Sequence, residues 1–160
     1  MRITKLLILS PFFLLSSCEL AQHYYEGERK EKLETAEVYF WASESEGSRY
    51  PWAIVGINGE EKYDPIIKRL YFLPGSYNLE VGHPGRDIRK EYGNFHFSIE
   101  LKSGMTYTFA PVHQNMSYKD NNSEMCVYEE HQDDSKNTFF NESRSPSNEA
   151  KLLICTKLGK

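Results

Sequence analysis

The chain has no basic cluster. Its 19 Lys and Arg against 23 Asp and Glu give a formal charge of −4. That balance argues against nucleic acid and against an electrostatic contact with anionic lipid. A Gly-x-Ser-x-Gly nucleophile elbow is absent, and so is a Walker loop. His23, His83, His96, His113 and His131 are scattered, and none has a second ligand at the spacing of a zinc helix or ribbon. The nearest approach to a metal cluster, His131 with Asp133 and Asp134, reads as a solvated polar loop. No segment repeats, which excludes a solenoid or propeller, and no helical periodicity runs beyond two turns. Carboxylates abound, as in Glu44, Glu46, Glu60 and Glu61, but nothing predicts the fixed separation across a cleft that a glycosidase pair requires. These absences leave no catalytic residue, no metal site and no cofactor to assign, and they point away from an enzyme.

What is present begins at the N-terminus. Arg2 and Lys5 lead into Leu6-Leu7-Ile8-Leu9, then Pro11 to Leu15, and the run stops at Leu15-Ser16-Ser17-Cys18. A positive start and an apolar core of about ten residues fit a signal peptide, and the core is shorter than the ~20 residues of a membrane-spanning helix. Leu15 to Cys18 resemble the lipobox of bacterial lipoproteins, in which a diacylglycerol is attached to the cysteine sulfur before cleavage on its N-terminal side. The resemblance implies that residues 1–17 are removed and that Cys18 becomes an acylated mature N-terminus. Two or three acyl chains, at ~0.8 kcal/mol per buried methylene, hold a protein stably on a membrane, whereas one holds it marginally. The alternative is an ordinary leader whose cleavage falls near an uninvolved cysteine. Glu19, where many inner-membrane lipoproteins carry Asp, favours the outer membrane by the same resemblance. Cleavage of 17 from 160 residues leaves 143 and removes Arg2 and Lys5, so the charge moves from −4 to −6. That length suits one domain.

Cys126 and Cys155 are then an even pair in a chain bound for an oxidising compartment, which invites a disulfide. Two separately buried thiols in strands are the alternative.

Residues 18–34 are polar and charge-rich and read as a tether with an end-to-end distance of ~20 Å, with a short helix over Arg29 to Glu34 possible. From there to about residue 158, period two dominates and predicts a single antiparallel β-sandwich or small barrel of about seven or eight strands. Ala36, Val38 and Phe40 alternate with Glu37, Tyr39 and Trp41, the mark of a strand with one face in the core, and Ala53, Val55 and Ile57 repeat it. Asn58-Gly59 predicts a two-residue hairpin turn, because both residues tolerate positive φ. A strand is expected over Ile66 to Phe72. Leu73-Pro74-Gly75-Ser76 has the chemistry of a type II turn, which makes Leu70 to Val81 a hairpin. Phe95, Phe97, Ile99 and Leu101 give the cleanest alternation. Beyond Ser103-Gly104 lie strands at Met105 to Phe109, Met125 to Glu129 and Leu152 to Thr156, with polar loops at about 114–123 and 132–149.

The combination of Ile57-Asn58-Gly59, Leu73-Pro74-Gly75-Ser76-Tyr77-Asn78-Leu79-Glu80-Val81 and Ile99-Glu100-Leu101-Lys102-Ser103-Gly104-Met105-Thr106-Tyr107 resembles PEGA-like and carboxypeptidase-regulatory-like sandwiches. The likeness covers about residues 35–110 and implies a fold and a structural or binding role in an envelope, not a reaction. Trp41, Tyr50 and Trp52 are the candidate ligand-binding residues. Exposed together they could stack on sugar rings or anchor a partner protein; otherwise they fill the core or cap its ends. The expectation is therefore a lipid-anchored, non-enzymatic binding or scaffolding module whose partner is an envelope protein or a glycan. A carbohydrate- or peptidoglycan-interacting module is the first alternative, and a hydrolase with an unrecognised site the second.

Overall fold

A computed structural model describes residues 21–23, 28–40, 52–62, 69–83, 85–112, 123–132 and 146–159. Cys18, Trp41, Tyr50, Asp133, Asp134 and the first part of the strand expected from Ile66 lie outside them. In chain order the described elements are β1 (Ala21–His23), a 3-10 turn at Lys32–Glu34, β2 (Ala36–Phe40), β3 (Ala53–Ile57), β4 (Glu60–Glu61), β5 (Arg69–Phe72) and β6 (Gly75–Gly82). Helix α1 (Arg86–Tyr92), β7 (Phe95–Leu101), β8 (Met105–Pro111), β9 (Glu124–His131) and β10 (Lys151–Lys157) follow. The strands form two sheets, one of six in the order β1-β5-β2-β8-β9-β10 and one of four in the order β4-β3-β6-β7. This is the all-β sandwich that the period-two pattern predicts. Two pairings are parallel, β1 with β5 and β2 with β8, so the larger sheet is mixed.

The core lies between the sheets. Ala36, Val38, Leu70, Phe72, Tyr107, Phe109, Met125 and Val127 supply one wall, and Ile54, Ile57, Leu79, Val81, Phe95, Phe97, Ile99 and Leu101 the other. Phe97 meets Phe109 edge-on across the interface with centroids 5.1 Å apart, and Phe72 meets Tyr77 likewise at 5.2 Å. Such T-shaped pairs place a ring's positive edge on its neighbour's negative face.

Several elements depart from the alternation read in the sequence. The Asn58-Gly59 turn has positive φ at both residues, 52° and 82°, and joins β3 to β4 as expected. Leu73-Pro74 does not close a hairpin. β5 belongs to the six-stranded sheet and β6 to the four-stranded one, so the segment is an arch that carries the chain from one sheet to the other. Gly75 is already the first residue of β6, with φ of 157°, not the third position of a type II turn. Leu70, Phe72, Leu79 and Val81 all face the core, but from opposite walls, and alternation alone cannot tell an arch from a hairpin.

In β3 the register with β6 shifts between Ile54 and Gly56, so Val55 is an extra residue. The shift brings Ile54 into the core cluster beside Ile57, while the expected Ala53 and Val55 are buried outside that cluster, because one inserted residue reverses the parity of those before it. β2 is shielded on both faces: Glu37 and Tyr39 are as buried as the core-facing residues. Glu37 tolerates this because its carboxylate accepts a hydrogen bond from the Thr106 hydroxyl at 3.2 Å on the neighbouring strand. Within the segment expected as a tether, Ala21–His23 runs beside β5 and Lys32–Glu34 forms one 3-10 turn.

The second arch, Lys102 to Gly104, is locked from inside. Tyr107, fully buried, accepts a hydrogen bond from the Lys102 backbone N–H at 2.9 Å and donates one to Glu129 at 2.9 Å. The Lys102 ammonium closes the triangle on the same Glu129 oxygen at 3.2 Å. Burial, reinforced by the carboxylate and partly offset by the Lys102 N–H, holds the Tyr107 hydroxyl well above the ordinary phenol range. At the same end the Gln132 amide donates to the Thr35 and Met105 carbonyls, and the Gly104 N–H, at φ 70°, also reaches Thr35.

Cys126 and Cys155 are bonded across adjacent positions of β9 and β10, 29 residues apart in sequence. A loop of that length corresponds to ~3 to 4 kcal/mol in the chain-entropy model. Replacing both cysteines by Ala lowers unfolding free energy by about that amount in a urea titration, and the native protein weighs about two mass units less than its dithiol. Tyr107→Phe removes the acceptor of the Lys102 N–H and the hydroxyl donor to a buried carboxylate, a loss of ~1 to 3 kcal/mol in the same titration. Because the folded hydroxyl keeps its proton longer than the unfolded one, stability is full below about pH 10 and falls above it, and the Phe variant loses part of that slope.

Candidate functional site

Of the three aromatic candidates, Trp52 alone falls among the described residues. It precedes β3, is half-buried, and packs against the core with its ring 5.3 Å from Phe95 at 68°. The indole thus extends the wall built by the four-stranded sheet over a fully buried phenylalanine.

The outer face of the four-stranded sheet is polar. Pairing places Glu61, Gly56, Glu80 and His96 in one row across β4, β3, β6 and β7. Over this row α1 lays a nearly buried cation, Arg89. Arg89 donates to Glu61 at 2.7 Å and to the His83 carbonyl at 3.1 Å. Two glycines make room for the layer. A methyl group at Gly56 would touch the Glu80 side chain at 3.0 to 3.2 Å, and one at Gly82 would run into the Asn94 amide oxygen and the Arg89 stem. Asn94 also donates weakly to Glu80, at 3.4 Å. The His83 ring nitrogen accepts the Gly85 N–H at 2.9 Å, and burial, with Arg89 nearby, holds the imidazole below its ordinary pKa. With its guanidinium on Glu61 and a backbone carbonyl, Arg89 acts as a cross-link that fixes the helix on the sheet. The sequence signal for this cluster was the Gly82-to-Arg89 excursion, where Gly and Pro break the alternation and a charged turn of helix follows.

Further along the same face, Ser76, Asn78, Ser98 and Glu100 line a shallow open depression of about 280 Å³. Ser98 donates to the Asn78 amide oxygen at 2.7 Å, and the neighbouring Tyr77 hydroxyl donates to the Leu73 carbonyl at 2.9 Å. The volume falls at the small end of ligand sites, and the depression lacks the enclosing walls that bury most of a ligand's surface. Among the described residues no group of three or more His, Cys, Asp and Glu is placed to hold a metal ion, and no helix is long and apolar enough to cross a membrane.

No family model, curated protein or solved structure matches the chain. Its chemistry therefore has to be read from its own residues.

Trp52 supplies packing, so Trp52→Ala costs about 2 kcal/mol or more in a denaturant titration, somewhat below the range for a fully buried tryptophan, while Trp52→Phe costs less. Soluble glycan fragments leave the fluorescence of a Trp41→Phe variant, in which Trp52 is the remaining tryptophan, unchanged.

Proposed function

We propose that this chain is a lipid-anchored, non-enzymatic module of a bacterial envelope, a β-sandwich that acts by binding or scaffolding. The observation that carries the reading is the use of its three cysteines. Cys126 and Cys155 take each other across β9 and β10, which suits an exported chain. Cys18 is left over, and it stands where a leader with a basic start and a short apolar core ends in Leu-Ser-Ser-Cys. An odd thiol in an exported protein calls for a partner, and a thioether to diacylglycerol provides one. The likeness to PEGA-like sandwiches and the absence of a nucleophile or metal motif in the sequence support a binding role in preference to catalysis.

The geometry adds a consequence for reach. Ala21 is three residues from Cys18 and lies in β1 at one edge of the larger sheet. Three extended residues span at most ~11 Å, so the sandwich sits close above the headgroups, nearer than a free tether of residues 18–34 would hold it. Glu19 supports the outer membrane as its location.

Expressed in full in a Gram-negative host, the wild-type protein partitions with membranes and into a detergent phase. Its N-terminal peptide begins at Cys18 and carries the mass of a diacylglycerol with or without an N-acyl chain. Cys18→Ser moves the protein to the soluble fraction or leaves its leader uncleaved. A mature chain that begins elsewhere, or one with an unmodified Cys18 free of membranes, overturns the reading.

A further inference from the structure

β10 is the last strand of the larger sheet and pairs with β9 on one side. Among the described residues no strand is paired to its other side along Lys151–Lys157, although β7 lies close by. Cys155 lies opposite Cys126 with Cα atoms 4.0 Å apart, the narrow spacing of a pair that exchanges no backbone hydrogen bonds. In such a pair each residue turns its N–H and C=O away from the other strand. Cys155 and, two residues on, Lys157 therefore present backbone donors and acceptors to the open side. The parity is borne out beyond the strand: the Leu158 N–H reaches back to Ser123 next to β9, whereas Gly159 faces outward and exchanges two 3.0 Å bonds with Asn94, just before β7. The chain thus already pairs one residue of its own onto this edge, and among the described residues the positions before it have no backbone partner there.

Side chains at the same edge are apolar on both faces. The register breaks at Leu153, so Leu152 follows Tyr128 on the outer face and Ile154 follows Val127 on the core side. They are 52% and 38% exposed, in contrast to the buried alternate residues of the other core strands. A partner resting on one face would cover one of them; a strand lying alongside covers both. Exposed lysines, Lys151 and Lys157, bracket them, and neither meets a carboxylate at salt-bridge distance among the described residues. The disulfide ties β10 to β9, which lowers the ordering cost on this side of an added strand.

We propose that the β10 edge takes up an extended segment of a partner polypeptide as an added strand, one with apolar residues flanked by carboxylates at both ends. Backbone bonds to Cys155 and Lys157 give the affinity, and the two lysines select the acidic ends. A second copy of this chain fits poorly. Twofold pairing of β10 with itself is antiparallel and sets Lys151 of one copy near Lys157 of the other, four like charges along one seam. The inference deepens the reading of a binding module but does not depend on the lipid.

The test uses the full mature protein in detergent micelles and two synthetic peptides of alternating Val and Thr, one with Glu at both ends and one with Lys at both ends. The Glu-ended peptide slows amide exchange at Cys155 and Lys157 at least tenfold, and the Lys-ended peptide does not. Lys151→Glu with Lys157→Glu exchanges the preference, and Ile154→Lys, which places a charge on a partly exposed side chain, abolishes binding of the Glu-ended peptide while the melting transition stays cooperative. Protection by neither peptide, equal protection by both, protection elsewhere, or a concentration-dependent dimer that protects β10 without peptide overturns the proposal. Membrane partition of the same samples reports on the anchor separately, so the failure of one is not mistaken for that of the other.

Discussion

Phe109 is where the two sheets become one body. Its ring stands perpendicular to Phe97 of the opposite wall at 5.1 Å and lies tilted against Phe40 of the neighbouring strand at 5.4 Å. A sheet with one apolar face cannot persist alone in water, and the burial of this face against a second sheet is what makes the other elements possible. The arches, the caps at their ends and the disulfide each fix how two already apolar surfaces meet. Tyr107 shows the logic: its ring contributes to the core, while its hydroxyl reaches the Lys102 N–H and Glu129 at the rim, so that one side chain serves both the interior and the turn that delivers it.

The same constraint explains which parts of the fold the sequence displays. Strands that face a single core announce themselves by parity, so β7 is legible residue by residue, with Phe95, Phe97, Ile99 and Leu101 buried and the residues between them exposed. Asn58-Gly59 is legible for a different reason, since a two-residue turn imposes its own backbone demand. Parity is silent on which wall a strand joins. Leu70 and Leu79 look alike in sequence whether β5 and β6 pair or face each other across the core, and the Pro-Gly chemistry between them serves either connection. Parity is also blind to a single inserted residue: Val55 shifts the register and turns Ile54 into the core cluster beside Ile57. Glu37 went unrecognised as a buried residue because its partner, Thr106, is 69 positions away.

On the candidate surfaces, legibility divides along the same line. The Cys126–Cys155 pair is legible from an even count of cysteines in a chain expected to be exported, without knowledge of the strands. The aromatic trio rested on exposure, a property that only packing decides, and Trp52 packs on Phe95. The Arg89 cross-link needed three segments at once: helix α1, the short strand β4 and the residue after β6. Its glycines, Gly56 and Gly82, sit at strand positions where a side chain would collide with Glu80 or with Asn94 and Arg89, which a sequence reading takes for weakness in a strand and the structure reveals as clearance.

The order of strands in the larger sheet gives these surfaces a direction. β1 and β10 lie at opposite edges, five interstrand steps apart, or about 24 Å at ~4.8 Å per step. With Cys18 only three residues before β1, an anchor there would hold that edge nearest the bilayer and leave β10 at the other. The cross-strand disulfide stiffens the distant edge, and the bulge at Leu153 keeps one face of it tucked against the core. Natural sheets blunt open edges with lysines, bulges and short length. β10 uses the first two at its ends and middle, and still leaves Cys155 and Lys157 with outward backbone groups between exposed Leu152, Ile154 and the Asn94 bridge. Those devices hinder uniform stacking of identical edges more than the addition of one strand of opposite charge. An edge guarded against its own kind and open to a strand of opposite charge is suited to recognition, on the side of the larger sheet opposite β1.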